Sequence, residues 1–212
     1  MEKFILLGAS RGLGWCVYQQ LLKQKPEAHF LLSSRKIENR KNEIGANTFL
    51  LAQDFSQSEV DKNFMNKLAE FQATTLIYFA GGGPYGLFQE KKWSDHLWSL
   101  RTSFLFPAEL IHLILSQKAN WPRLQKIVVM GSAVAEDKPD PKASSYAAAK
   151  HALKGLIDSI KLEQGGMPNL ILFSPPYMQT DMLPANSHPR LNDSAENPVV
   201  VADRLIEYIE KT

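Results

Sequence analysis

The chain has 212 residues, a formal net charge of +2 and 22% charged residues. That length supports a full hydrophobic core, and so small a charge argues against a nucleic acid or an anionic membrane as partner. No run approaches the ~20 apolar residues needed to cross a bilayer. Cys16 is the only cysteine, so no internal disulfide forms and a reducing cytoplasm is the expected compartment. The five histidines, at 29, 96, 112, 151 and 188, lack metal-ligand spacing, and no metal site is expected.

Phe4 to Leu7 is an apolar run that predicts a first strand rather than a signal peptide. It ends in Gly8-Ala9-Ser10-Arg11-Gly12-Leu13-Gly14, and Trp15 to Leu22 then carries helical spacing. Strand, glycine loop and helix is the context in which bare backbone approaches a pyrophosphate and a helix N-terminus meets its charge. A second strand, Phe30 to Ser34, runs into Arg35. In nucleotide-binding sheets an acid near this place holds the ribose 2′-hydroxyl. Ser34 and Arg35 stand there instead, and Arg11 can close from the glycine loop, so a 2′-phosphate and NADP(H) are favoured over NAD(H).

Thr48 to Ala52 predicts a third strand, followed by Asp54-Phe55-Ser56. Asp54 is placed either to cap a helix over Glu59 to Phe71 or to reach an adenine. Leu76 to Ala80 is a fourth strand that enters Gly81-Gly82-Gly83-Pro84, where a cofactor ring can lie against bare backbone. A helix from Trp93 to Gln117 is apolar nearly all round and should bend at Pro107; burial on two sides predicts a subunit interface, hence a homodimer. Ile127 to Met130 is the fifth strand and stops just before Ser132. A stiff polar loop over Glu136 to Pro141 leads into a helix that ends near Glu163. Leu170 to Phe173 is the sixth strand, followed by Ser174-Pro175-Pro176-Tyr177. Weak periodicity from Met178 to Asn197 reads as a short substrate flap, and Val199 to Glu210 as a last helix.

Alternating strands and helices argue for an α/β fold: a parallel sheet covered by helices on both faces, in one domain over residues 1–212. Gly8, Arg35, Asp54, Gly81, Ser132 and Pro175 all fall at carboxyl ends of strands, where such sheets bind ligands. The chemistry centres on Ser145-Tyr146-Ala147-Ala148-Ala149-Lys150. Residues four apart share a helix face, so Lys150 stands beside Tyr146, and an ammonium there is expected to pull the phenol's pKa toward neutrality. Ser132 can hydrogen-bond the same substrate oxygen.

With these motifs in this order, the chain resembles the short-chain dehydrogenase/reductase family over nearly its whole length. Gly8-x-x-x-Gly12-x-Gly14 is similar to the family's cofactor loop, with Leu7 where a threonine is usual. Phe79-Ala80-Gly81 resembles its Asn-Ala-Gly with the asparagine lost, and Pro175 to Thr180 resembles its Pro-Gly segment with Pro176 in the glycine's place. The resemblance implies a Rossmann-type doubly wound sheet in three layers (α/β/α) that binds NADP(H). It implies cofactor contacts from Gly8, Ser10, Arg11, Gly12, Leu13, Gly14, Ser34, Arg35, Asp54, Phe55, Phe79, Ala80, Gly81, Tyr146, Lys150, Pro175, Met178 and Thr180. Asp54 would meet the adenine amino group and Thr180 the carboxamide. Ser132, Tyr146 and Lys150 match the catalytic serine, tyrosine and lysine, with Tyr146 exchanging a proton with a carbonyl or alcohol substrate.

Two departures carry expectations. The helix from Trp93 has no asparagine; Ser103, by its spacing to Pro107 and Leu110, takes that place, which implies a weaker proton relay. No family-type final strand follows the last helix, which implies an assembly other than the usual tetramer. Two functions compete: an NADPH-dependent carbonyl reductase or alcohol dehydrogenase, and a non-catalytic NADP(H)-binding protein on the same scaffold.

Overall fold

The computed structural model of the chain describes residues 1–136, 140–163 and 168–212. The core of the expected stiff loop, at 137–139, lies outside them. Six parallel strands form one sheet: β1 (Lys3–Leu7), β2 (His29–Ser34), β3 (Thr48–Ala52), β4 (Thr75–Tyr78), β5 (Lys126–Met130) and β6 (Asn169–Phe173). Their order is β3-β2-β1-β4-β5-β6, so the chain reverses its direction of travel between β1 and β4. Ligands bind at such a switch point.

The central strands β1, β4 and β5 read as near-continuous apolar runs because both their faces are covered, whereas the edge strand β3 leaves Phe49 exposed. On β1, Phe4 and Leu6 face one core while Ile5 and Leu7 face the other. The first core is closed by α1 (Gly12–Gln24) and by α7 (Pro198–Lys211), through Val17, Tyr18, Leu21, Leu205 and Ile206. The second is closed by α2 (Lys62–Phe71), α4 (Phe106–Ser116) and α5 (Ser144–Glu163), through Phe64, Leu68, Phe106, Leu110, Leu153 and Ile157. Phe55, Tyr78 and Phe106 pack ring against ring in its centre, at 5.0–6.0 Å. No helix among the described residues is long and apolar enough to cross a membrane.

Two sequence expectations are corrected. The helix foreseen over Glu59 to Phe71 starts at Lys62, and its cap is Asp61, whose carboxylate accepts the Phe64 N–H at 2.8 Å. Asp54 therefore does not cap it; its carboxylate accepts the Ser56 N–H at 3.0 Å and the Ser56 hydroxyl at 2.8 Å. The long helix is also interrupted. It runs as α3 (Trp93–Leu100), a π turn over Arg101–Leu105 in which the Phe106 N–H bonds the Arg101 carbonyl, and then α4. Pro107 has no N–H to give the preceding turn, so the widened turn sits immediately before it. A short α6 (His188–Leu191) lies in the segment read as a flap, tied down by a bridge between Met178 and Glu196.

Asp61→Ala should cost about 1 kcal/mol, the usual worth of such a cap. A urea titration should show a lower midpoint at unchanged slope.

Candidate active site

β1 and β4 come closest just beyond their carboxyl ends. Gly8 has φ +92°, and a Cβ there would lie 2.4 Å from the Ala80 nitrogen. Only glycine allows this approach. Gly14 does the same at the first turn of α1, where a Cβ would meet the Gly8 carbonyl at 2.8 Å. The N-terminus of α1, capped by no side chain and with no acid in its first turn, thus opens onto a long cleft.

That cleft, of about 660 Å³, is lined by Gly8, Ser10, Arg11, Gly12, Leu13, Gly14, Ser34, Arg35, Asp54, Phe55, Phe79, Ala80, Gly81, Tyr146, Lys150, Pro175, Met178 and Thr180. Every position that the resemblance assigns to the cofactor therefore borders one groove. Two buried hydroxyls on its wall, Ser34 Oγ and Thr102 Oγ1, have no hydrogen-bond partner among the described residues. Orphaned polar groups facing a groove with a free helix N-terminus and a cationic rim fit a phosphorylated dinucleotide. Besides Arg11 and Arg35, the rim holds Lys36 and Arg40.

Arg40 and Thr102 were invisible to motif reading. Arg40 lays its guanidinium 4.4 Å from the Trp15 ring centroid, donates from Nε to the Ser10 carbonyl at 3.0 Å and pairs with Glu43 at 2.7 Å. It thereby braces the glycine loop from behind. Its only sequence signal is a position shortly after Arg35, in a turn that no pattern marks.

A smaller chamber of about 100 Å³ adjoins the cleft. Ser132 lines it, and Tyr146, Pro175, Met178, Thr180 and Met182 line both spaces. Tyr146 thus stands at their junction. Ser132 Oγ accepts a long bond, 3.4 Å, from the Val134 N–H, and its hydroxyl lies within hydrogen-bonding reach of the Tyr146 phenol. Lys150 is 2% exposed and gives its ammonium to the Met130 carbonyl at 2.7 Å, with Nζ 5.5 Å from the Tyr146 ring centroid.

Here the expected electrostatics are corrected. The Tyr146 phenol is pushed up by burial, only partly offset by the Ser132 hydroxyl, and burial pulls Lys150 down to about 7. Removing water penalises phenolate and ammonium alike, and at both groups this is the largest effect. For Asp54 burial works upward, but the bonds from Ser56 and the nearby Arg35 charge hold it below the usual range.

The backbone that floors the junction is held from α3 and the π turn. Ser99 Oγ donates to the Gly82 carbonyl at 2.7 Å, and Ser103 Oγ both accepts from the Gly82 N–H at 3.0 Å and donates to its carbonyl at 3.1 Å. Ser103 does reach the site, beside Lys150, but commits its hydroxyl to Gly82; a Cβ on Gly81 would stand 3.3 Å from Ser103 Oγ and 3.4 Å from Lys150 Nζ. A further clamp escaped the sequence reading. Buried His96, on α3, hydrogen-bonds Ser145 through Nδ1 and the Phe88 carbonyl through Nε2, so it anchors the turn that carries Tyr146.

No curated protein matches the sequence. Solved structures do match the fold. An alcohol dehydrogenase from the archaeon Thermococcus sibiricus, complexed with 5-hydroxy-NADP, aligns with TM-score 0.81 at 16% identity, over 99% of this chain and 91% of its own. A short-chain dehydrogenase/reductase from Vibrio parahaemolyticus gives 0.78 at 22% identity, over 96% and 89%. A short chain dehydrogenase from Burkholderia cenocepacia, in complex with NADP, gives 0.72 at 21%, over 96% and 88%. At the level of sequence, the family model for short chain dehydrogenases matches residues 2–190. A match across most of the chain, on a sheet wound in the order described, means that this chain belongs to the short-chain dehydrogenase family of oxidoreductases.

Proposed function

We propose that this chain is an NADPH-dependent reductase of small carbonyl compounds, or an alcohol dehydrogenase when run in reverse. The observation that carries this is the position of Tyr146 at the meeting of the cleft and the chamber, with Ser132 on one side and Lys150 on the other. The complexes of the Thermococcus protein with 5-hydroxy-NADP and of the Burkholderia protein with NADP support the cofactor class.

Ser34, Arg11 and Arg35 would hold the 2′-phosphate, the α1 N-terminus the pyrophosphate, Asp54 the adenine amino group and Thr180 the carboxamide. When bound, the cofactor would supply the hydride taken up by the carbonyl carbon. Ser132 donates a hydrogen bond to the carbonyl oxygen and Tyr146 gives it a proton: the phenol O–H breaks as the alcohol O–H forms. A raised phenol pKa keeps Tyr146 loaded for this step over a wide pH range. Lys150 holds the ribose hydroxyls, and as an ammonium it stabilises the phenolate left behind. A second reading, a non-catalytic NADP(H)-binding protein, is favoured by one observation: the Ser103 hydroxyl, at the place of the usual relay asparagine, is committed to Gly82.

Arg35→Ala should weaken NADPH binding about ten- to a hundredfold, the worth of a charge-assisted contact of roughly 1.5–3 kcal/mol, and leave NADH nearly unchanged in a fluorescence titration. Equal losses for both would remove the 2′-phosphate assignment.

Tyr146→Phe should lower NADPH oxidation across a carbonyl panel by roughly a hundredfold or more while retaining NADPH affinity. If wild type and Tyr146→Phe bind NADPH alike and neither oxidises it, the binding-protein reading stands. In wild type the ammonium form of Lys150 predominates below its pKa of about 7, so kcat/KM for NADPH should be full there and fall as pH rises through it. Lys150→Met should lose that dependence along with activity.

We also propose a homodimer through α3, α4 and α5. Leu105 in the π turn is 51% exposed and Gly155 on α5 faces open space. Sedimentation at micromolar concentration should give a dimer in wild type and a monomer for Leu105→Glu; a monomeric wild type would refute the interface.

A further inference from the structure

The chamber beside Tyr146 is mostly apolar, walled by Val134, Ala143, Pro176, Met182 and Leu183. One of its lining residues departs sharply from that. Among the described residues that line it, Asp140 alone carries a full charge. Its Oδ2 accepts the Tyr177 hydroxyl at 3.1 Å, and no other described side chain bonds to its carboxylate. Tyr85 lines the same end, close enough to Asp140 for its phenol, already raised by burial, to be raised further by that charge. The Tyr177 phenol is pushed up to about 12, by burial first and then by Asp140, Tyr85 and Tyr146, so it remains a neutral donor to Asp140. Tyr177 thus feels both the acid at one end and the proton-carrying phenol at the other.

A lone carboxylate flanked by two phenol rings, in a space with apolar walls, is a receptor for a cation. A half-buried carboxylate attracts positive charge, and aromatic rings lining the same space tolerate a cation where purely aliphatic walls would not. An anionic substrate would meet a like charge in low dielectric, and a wholly apolar one would strip water from Asp140 without replacing it. Among the described residues, no cation lines the chamber to cancel this field. Lys150 borders the cleft, not the chamber, and Arg190 gives its guanidinium to the Thr180 and Leu183 carbonyls at 2.8 and 3.1 Å. We propose that the chamber selects a small carbonyl substrate bearing an ammonium head, seated on Asp140 between Tyr85 and Tyr177 while its carbonyl meets Tyr146 and Ser132. This rests on the reductase reading and adds the substrate class to it.

The test uses three methyl ketones of equal length, each with three methylenes after the carbonyl. One ends in trimethylammonium, one in its uncharged isostere tert-butyl, and one in carboxylate. NADPH oxidation by the wild type should give a kcat/KM about tenfold or more higher for the ammonium ketone than for the tert-butyl one, with the carboxylate lowest. Asp140→Asn, which retains a partner for Tyr177, should abolish that preference, and Asp140→Glu should retain part of it. Equal rates for all three heads, or a preference that survives Asp140→Asn, would overturn the proposal. Calorimetry of the ammonium and carboxylate alcohol products, added to protein saturated with NADP, separates the two ideas. Selective binding of the cation without turnover of any ketone supports the charge site and sinks the reductase reading. Absence of both turnover and selective binding sinks the charge site as well.

Discussion

The approach of Gly8 to Ala80 is the constraint from which the cleft follows. Where β1 and β4 part company at the switch point, their outgoing chains touch backbone to backbone, with φ +92° at Gly8 and no room for a Cβ. The Gly8 N–H reaches the Ser33 carbonyl at 2.7 Å, which ties the glycine loop to β2 as well. One loop therefore sets the aim of the α1 N-terminus, the rim at Ser34 and Arg35, and the groove between them. Arg40 holds that loop from behind by stacking on Trp15 and bonding the Ser10 carbonyl.

On the opposite side of the cleft the organising device is the π turn. One extra residue in the turn before Pro107 rotates Thr102 and Ser103 inward, where a regular helix would have directed a different pair. Tyr78 secures the turn by donating its hydroxyl to the Thr102 carbonyl at 2.7 Å. Ser99 and Ser103 then hold Gly82, and His96 holds Ser145. Tyr146 is thereby located by contacts from α3 rather than by its own helix alone.

Burial governs the charges of the site. Tyr146 is raised and Lys150 lowered because both lie where water is scarce. The same scarcity extends the reach of Asp140, the one carboxylate among the described residues of the chamber, since a field that solvent would screen persists between apolar walls. The cleft and the chamber are thus electrostatically distinct: a cationic rim suited to phosphate on one side of Tyr146, an anionic end on the other.

The six strands, the glycine loop and the order of the site residues were legible in the sequence because each depends on local chemistry. Strands buried on both faces must be apolar throughout, a loop that crosses closely must be glycine, and Tyr146 and Lys150 share a face through helical spacing alone. Boundaries set by a competing cap, as at Asp61, or by a missing N–H, as before Pro107, shifted by a few residues or divided an element in two. What only the tertiary structure decided are relations between residues far apart in the chain. These are Arg40 on Trp15, His96 on Ser145, Tyr177 on Asp140, and the direction in which Tyr146 and Lys150 titrate. None of these has a period or a spacing, because each arises from which surfaces the fold presses together and from how much water it leaves between them.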